Sequence, residues 1–181
     1  MQKLFAGETD WHTPWMGRVL PRVERLAAAH PDQTIFTRFI PARNARAAKG
    51  NWRGYYEKWE GMTLDRLPAG TVDLLPSLAA LVPPADVFDK ATYSPWTDGD
   101  LHVRLQDRGV DTILLTGGET DVCVLAAALG AVDLGYRTVL VTDALCSASD
   151  ETHDDMLKLY RSRYGQQIET VDTETLLGVW K

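Results

Sequence analysis

The sequence has little of what marks disulfide-rich and metal-binding proteins. It contains only two cysteines and four histidines among 181 residues. The cysteines are Cys123 and Cys146, and the histidines are His12, His30, His102 and His153. The cysteines lie in segments of expected regular structure, and the histidines show no metal-ligand spacing. We therefore expect no disulfide framework, no bound metal and no other cofactor.

Long apolar runs and basic clusters are also missing. No apolar stretch approaches the roughly 20 residues that a membrane-spanning helix needs, and the N-terminus lacks the layout of a signal peptide. The formal net charge is -6, and no Lys/Arg cluster is interleaved with aromatic residues. These features argue against membrane and nucleic-acid partners, and favour a cytoplasmic protein with a small-molecule substrate.

What is present predicts an α/β fold. Short β-branched runs predict buried parallel strands, and between them lie apolar positions at helical spacing. The strands are predicted at 34–40, 86–89, 112–116, 138–142 and 167–170, and the helices at 16–30, 72–81, 99–108, 121–135 and 151–164. This alternation indicates one domain over residues 1–181, with three α/β/α layers around a mostly parallel, Rossmann-like sheet.

The segment Thr112–Val124 predicts a strand, a Gly-Gly turn and a helix capped by Thr120. Cys123 then lies in the first helical turn, where free backbone N–H groups and the helix dipole stabilise a thiolate. The same amides can bind an oxyanion. The alternative is that Cys123 is simply a small buried side chain, as many free cysteines are.

Lys90 is the second candidate, because it closes a predicted buried strand at the same edge of the sheet. Its ammonium could lower the pKa of a nearby thiol and stabilise charge on a carbonyl oxygen. The alternative is a solvated lysine at a strand end, which is the commoner situation for an isolated lysine.

Together these residues resemble the signature of isochorismatase-like cysteine hydrolases. The matching stretches are Gly117-Gly-Glu-Thr-Asp-Val-Cys-Val124, Ala131-Val-Asp-Leu-Gly-Tyr-Arg137, Asp143-Ala144, and Lys90 with Tyr93-Ser94. The resemblance implies hydrolysis of a small amide by a Cys-Asp-Lys triad, a cis peptide at Gly118-Glu119, and a homo-oligomer, either dimer or tetramer. It assigns Cys123 and Lys90 as catalytic and the Gly118, Glu119 and Cys123 turn as oxyanion hole. Gln2, Arg38, Tyr93 and Trp96 are further candidates for substrate contact.

One member of the triad has no counterpart. The family's Asp ends the first, central strand in an Asp-x-Gln pattern followed by Phe; here Gln2 and Phe5 fit, but the Asp is absent. Asp10 is expected to be a solvated loop residue. Our hypothesis is a misplaced start codon or truncated chain that lacks the central strand, which would leave its two neighbouring strands without a ladder partner.

Other positions separate this sequence from nicotinamidase-type members of the family. Those carry an Asp-x-His metal site after the second strand, whereas this sequence has Thr37-Arg-Phe-Ile-Pro-Ala-Arg43, so we disfavour nicotinamide as substrate. Arg38 and Arg43 either contact an anionic group or are ordinary surface arginines. Cys146 is expected to be structural, and His153 to pack or cap.

Aromatic residues are concentrated near the N-terminus and in the segment 51–59. They are Trp11, Trp15, Trp52, Tyr55, Tyr56 and Trp59. Packing between subunits is favoured over substrate contact, because aromatic enrichment is typical of interface cores.

The sequence favours a metal-independent amide hydrolase acting through a thioester on Cys123. Two alternatives stay open. One is vinyl-ether hydrolysis by acid catalysis, in which Cys123 would be dispensable. The other is a non-catalytic binding or assembly subunit, because the catalytic Asp is absent.

Overall fold

The computed structural model describes residues 1–180. Its strands are β1 (Ile35–Phe39), β2 (Asp86–Lys90), β3 (Thr112–Gly118), β4 (Arg137–Cys146) and β5 (Ile168–Val171). Its helices are α1 (Lys3–Ala6), α2 (Met16–Ala29), α3 (Trp52–Lys58), α4 (Pro76–Ala79), α5 (Asp100–Asp107), α6 (Cys123–Asp133), α7 (Asp150–Ser162) and α8 (Thr173–Val179). None of these helices has the length and apolar character needed to cross a bilayer.

All five predicted strands are present, and four of the five predicted helices are confirmed in place. The helix predicted at 72–81 is wrong in extent, because only α4 is helical there. Pro76 starts that helix, and the residue before a proline is pushed out of the helical region; Leu75 is accordingly extended. Leu74 instead forms an antiparallel bridge to Gln2.

The strands form two parallel sheets among the described residues, where the sequence predicted one. One sheet contains β1 and β2, and the other has the order β3-β4-β5. Every strand pair is parallel. The fold class is therefore the predicted α/β class, but β1 and β3 are not hydrogen-bonded to each other.

A cavity of about 880 Å³ lies between the two sheets, and we call it the slot. Its walls include residues of β1 and of β3, and one end reaches Lys90 and Cys123. The edge of β1 opposite β2 and the edge of β3 opposite β4 thus have no neighbouring strand within residues 1–180.

Helices cover both faces of the sheets and connect them. On one face, α2 and α8 pack Val23, Leu26 and Leu176 against Phe36 of β1 and Val141 of β4. On the other face, α5 and α6 pack against β1, β2 and β3, and α6 and α7 pack against β4 and β5. These shared clusters produce the predicted three-layer arrangement and hold the carboxyl ends of β2 and β3 side by side.

Candidate active site

Cys123 and Lys90 meet at the carboxyl ends of β3 and β2. The Lys90 Nζ lies 3.3 Å from the Cys123 Sγ. Cys123 is the first residue of α6, and Lys90 is the last residue of β2. The sequence predicted that these two residues share one edge of the sheet, and the structure places them in direct contact.

Lys90 is buried, with its ammonium held by the loop that follows β2. It donates to the backbone carbonyls of Thr92 and Tyr93, each at 2.9 Å. The Nζ also lies 5.3 Å from the centre of the Phe39 ring. Three acceptors thus surround the ammonium, so Lys90 is not the solvated strand-end lysine of the alternative interpretation.

Burial and charge act in opposite directions on the Cys123 thiol. Burial raises the pKa of Cys123, whereas the Lys90 ammonium and a backbone hydrogen bond from Glu119 lower it, and burial has the larger effect. Burial likewise lowers the pKa of Lys90, and Cys123 opposes this shift. The thiol therefore needs Lys90 for thiolate formation and also needs a base, because Lys90 is its sole hydrogen-bonding side chain among residues 1–180.

The turn between β3 and α6 presents backbone amides beside the thiol. The Gly118-Glu119 peptide bond is cis. The N–H groups of Val122 and Val124 both donate to the Glu119 carbonyl. The Cys123 N–H has no backbone carbonyl partner in the described part of the chain, so it is free to donate to a substrate oxygen.

Thr120 holds this turn against β4 and α7. The prediction that Thr120 caps α6 is wrong. Its buried hydroxyl contacts the Cys146 carbonyl at 3.1 Å and His153 Nδ1 at 2.8 Å. The Tyr160 hydroxyl donates to the Thr120 carbonyl at 2.9 Å. With its side chain occupied in this way, Thr120 cannot cap, and α6 begins at Cys123.

Cys146 and His153 are the residues that contact the Thr120 hydroxyl. Cys146 is fully buried, and burial raises the pKa of its thiol to about 12. His153 is buried and its ring lies 6.0 Å from that of Trp15. Nearby, the Ser147 hydroxyl donates to the Asp121 carboxylate. Neither Cys146 nor His153 contacts the Cys123 thiol.

Glu119 has a buried carboxyl group, which the sequence analysis does not predict. Burial raises the pKa of its carboxyl, and the charge of Asp121 adds to this effect. Glu119 also raises the pKa of Cys123 through its charge. A glutamate immediately after two glycines in a nucleophile turn was the available signal, but its burial depends on packing that spacing does not reveal.

The aromatic residues of 51–59 pack within their own chain. Trp52 lies 4.8 Å from Tyr93 and 6.2 Å from Phe39, measured between ring centres. Trp11 contacts Tyr55 at 5.7 Å, and Tyr56 is buried. This cluster reaches the site through Phe39 and Tyr93, which flank Lys90.

Three of the other candidates are held by partners within the chain, and Trp96 also lines the slot. Arg38 is paired with Asp89 through bonds of 2.6 and 2.7 Å, and exposed Arg43 pairs with Asp65 at 2.9 Å. Trp96 donates its indole N–H to the Ala127 carbonyl at 2.9 Å and packs on α6.

Gln2, in contrast, lies at the mouth of the slot. Its amide group accepts from the Phe39 N–H at 2.7 Å and donates to the Phe39 carbonyl at 2.9 Å. Its Nε2 also donates to the Val72 carbonyl at 2.8 Å. Asp10 is exposed, away from this arrangement.

Within residues 1–180, no three His, Cys, Asp or Glu side chains are grouped so that they could hold a metal ion.

Known proteins resemble this chain in sequence and in fold. The family model described as the isochorismatase domain matches residues 1–172. An uncharacterized isochorismatase family protein, YwoC of Bacillus subtilis, is 33% identical over 160 residues, which are 85% of this chain and 80% of that protein. Maleamate amidohydrolase of Pseudomonas putida is 30% identical over 86 residues, or 48% of this chain and 40% of that enzyme. The crystal structure of a cysteine hydrolase from Pseudomonas syringae superposes with a TM-score of 0.82 at 22% identity, covering 98% of this chain and 87% of the other.

Proposed function

The chain belongs to the isochorismatase family, and from this premise we propose that it hydrolyses a small amide through a thioester on Cys123. The observation that carries the proposal is the contact between the Cys123 thiol and the Lys90 ammonium at the end of two parallel strands. A relative named maleamate amidohydrolase supports the amide as the reacting group.

In the proposed reaction the Cys123 sulfur attacks the amide carbon, and a C–S bond forms. The negative charge on the oxygen is stabilised by the Cys123 N–H at the start of α6. The C–N bond then breaks, and the leaving amine takes a proton from water, which replaces the proton that the thiol released to solvent on forming the thiolate. Water cleaves the thioester and yields the carboxylic acid, which restores the thiol.

Lys90 contributes by stabilising the thiolate, since its ammonium lowers the pKa of Cys123. The Phe39 and Tyr93 rings beside Lys90 favour a substrate with an apolar or planar body. Arg38 and Arg43 are already paired with carboxylates, so the proposed function assigns neither arginine to an anionic group of the substrate. Action without a metal ion is part of this proposal.

The test is to compare Cys123→Ala and Cys123→Ser with the unaltered chain on a panel of small amides, measuring release of the amine. We expect both substitutions to reduce turnover at least about a thousandfold, because the nucleophile is removed. Cys146→Ala is the matched control, and it should retain turnover because that thiol does not contact Cys123. Rapid quenching and intact-mass measurement should show an acyl adduct on the unaltered chain only.

Two other results would lead to other functions. Amine release that survives in Cys123→Ala would contradict the thioester, and cleavage of an isochorismate-like vinyl ether by the same variant would support acid-catalysed vinyl-ether hydrolysis. A second candidate, a binding subunit without turnover, is favoured by one observation: within residues 1–180 no carboxylate is hydrogen-bonded to the thiol. It predicts that ligands bind with no turnover at any enzyme concentration.

A further inference from the structure

The turn between β3 and α6 is fixed by one peptide group, the one between Glu119 and Thr120. The Glu119 carbonyl accepts from the N–H groups of Val122 and Val124, at 3.1 and 3.0 Å. The Thr120 N–H donates to the Cys146 carbonyl at the end of β4, at 3.0 Å. Because the N–H and C=O of a trans peptide point in opposite directions, this group joins the end of β4 to the first turn of α6.

The direction of the Cys123 N–H depends on that peptide group. Cys123 lies between Val122 and Val124, whose N–H groups share the Glu119 carbonyl as acceptor. At the start of a helix the backbone N–H groups point the same way along the axis. If the peptide between Glu119 and Thr120 turned, the flanking N–H groups would lose their acceptor and the Cys123 N–H would change direction.

Thr120 is fully buried and has a partner for each of its polar groups. Its hydroxyl contacts the Cys146 carbonyl at 3.1 Å and His153 Nδ1 at 2.8 Å. Its carbonyl accepts from the Tyr160 hydroxyl at 2.9 Å. His153 and Tyr160 are two helical turns apart on α7, so they lie on one face of that helix. Helix α7 thus holds the side chain and the carbonyl of Thr120 together.

The two contacts of the Thr120 hydroxyl determine which ring nitrogen of His153 carries a hydrogen. A hydroxyl has one hydrogen to donate, and a carbonyl oxygen can only accept. Both contacts are hydrogen bonds only if the hydroxyl donates to the Cys146 carbonyl and the His153 Nδ1–H donates to the hydroxyl oxygen. An apolar side chain in place of His153 would leave that buried oxygen without its donor, which is costly.

His153 is itself held in place on the side of α2. It is buried, and its ring lies 6.0 Å from the ring of Trp15. The Arg18 guanidinium lies 4.4 Å from the centre of the same Trp15 ring. Within residues 1–180 the His153 ring has no hydrogen-bonding partner besides Thr120. Any effect of His153 on the chemistry at Cys123 therefore passes through Thr120.

We propose that His153 is a positioning residue: by donating its Nδ1–H to the Thr120 hydroxyl, it holds the peptide between Glu119 and Thr120 and thereby aims the Cys123 N–H at the substrate oxygen. This role rests on the proposed function, in which that N–H stabilises the charge on the oxygen. His153 touches neither the substrate nor the thiol, and acts only on the direction of the donor.

The position of the hydrogen on His153 is tested on the unaltered protein. Nitrogen-15 NMR distinguishes a ring nitrogen that carries a hydrogen from one that does not, and the His153→Asn spectrum assigns the signals. We expect Nδ1 of His153 to carry a hydrogen. An Nδ1 without hydrogen would overturn the proposal, because the hydroxyl of Thr120 would then be the donor. This measurement needs neither turnover nor a folded His153→Leu variant.

Substitutions of His153 test its effect on turnover. We expect His153→Leu to lower kcat for amide hydrolysis at least about tenfold and to change KM less than about threefold, because the Cys123 N–H acts on charge that develops in the transition state. His153→Asn should restore kcat to within about threefold, since its amide N–H replaces the Nδ1–H. His102→Leu, which removes a histidine bonded to Tyr136, is the control and should leave kcat unchanged. A folded His153→Asn variant as slow as His153→Leu would overturn the proposal.

Benzaldehyde separates this role from the hydrolase itself. The Cys123 sulfur adds to the aldehyde carbon and the thiol proton passes to the oxygen, which accepts from the Cys123 N–H without any turnover. We expect His153→Leu to weaken this adduct at least about tenfold, and to change alkylation of Cys123 by iodoacetamide less than about twofold, because alkylation puts no charge on a carbonyl oxygen. A weakened adduct with no amide turnover by the unaltered protein would support the role of His153 and contradict the hydrolase. Absence of an adduct, an adduct equally stable in both proteins, or an equal loss of alkylation would overturn the role of His153.

Discussion

At the scale of single residues, the site depends on how Lys90 offsets the burial of Cys123. A buried thiol keeps its proton because the low-polarity surroundings disfavour the thiolate, and the adjacent ammonium reverses part of this effect. The 3.3 Å contact is therefore the observation on which the proposed reactivity of Cys123 rests. Since only the thiolate is nucleophilic, any loss of the Lys90 charge should appear directly in the pH dependence of alkylation.

We predict that Lys90→Met raises the pKa of Cys123 and slows its alkylation by iodoacetamide at pH 8 about tenfold or more, because each pKa unit changes the thiolate fraction tenfold. Between pH 6 and pH 10, the alkylation rate of the variant should rise at higher pH than that of the unaltered chain. Lys3→Met, which removes an exposed ammonium paired with Asp73, is the control and should leave the profile unchanged. An unshifted profile for Lys90→Met would show that Lys90 does not stabilise the thiolate.

At the scale of elements, α6 is held against the loop after β2 by a close contact between Trp96 and Gly130. A Cβ atom at Gly130 would lie 2.2 Å from the Trp96 ring. The ring cannot easily move away, because its N–H is bonded to Ala127 and its face is stacked on Tyr136 at 5.7 Å. Glycine is required here by the close approach of the indole.

We therefore predict that Gly130→Ala lowers the free energy of unfolding by about 1–3 kcal/mol, the usual cost of overpacking. Gly17→Ala in α2 is the matched control, since a Cβ there meets nothing within 4 Å; it should raise stability by about 0.5–1 kcal/mol, because alanine favours the helix. Urea denaturation of both variants gives the comparison. A Gly130→Ala variant as stable as the Gly17→Ala variant would mean that the indole is free to swing aside.

Elements with strong local signals could be predicted from the sequence. The five strands are β-branched runs bounded by turns, and α2, α5, α6 and α7 have clear helical spacing, so both were found. Helices α1, α3 and α8 were missed because four to seven residues carry too little periodicity. The apolar pattern over 72–81 predicts a longer helix than α4, because Pro76 keeps the preceding residue out of the helical region.

The candidate site likewise has features that the sequence predicts and features that it does not. The contact of Cys123 with Lys90 follows from topology, because parallel strands end at one edge of a sheet. The support of Thr120 by His153 and Tyr160 could not be predicted, since it joins residues 33 and 40 positions apart through packing of α7. Likewise, the pairing of Arg38 with Asp89 depends on the register of β1 against β2, which the sequence does not specify.

At the scale of the whole molecule, the two sheets are joined by helices, and within residues 1–180 no hydrogen bond links a strand of one sheet to a strand of the other. The two-stranded β1-β2 sheet has open edges, whereas β4 is paired on both sides and contains the fully buried Leu140 and Val141. Two strands alone are marginally stable, so β1 and β2 rely on the apolar clusters that α2 and α5 form with them. The slot therefore divides the molecule into a weaker and a stronger part.

This division predicts a graded pattern of native-state hydrogen exchange. We expect the β1 amides of Phe36 and Arg38, which face β2, to exchange at least tenfold faster than the β4 amides of Leu140 and Val141, because the smaller sheet opens without global unfolding. Within β1, the slot-facing amide of Thr37 should exchange faster still, since it has no partner. Exchange measured residue by residue at neutral pH tests both steps. Equal opening free energies for β1 and β4 would contradict the division, because they would require the helices alone to couple the two sheets into one cooperative unit.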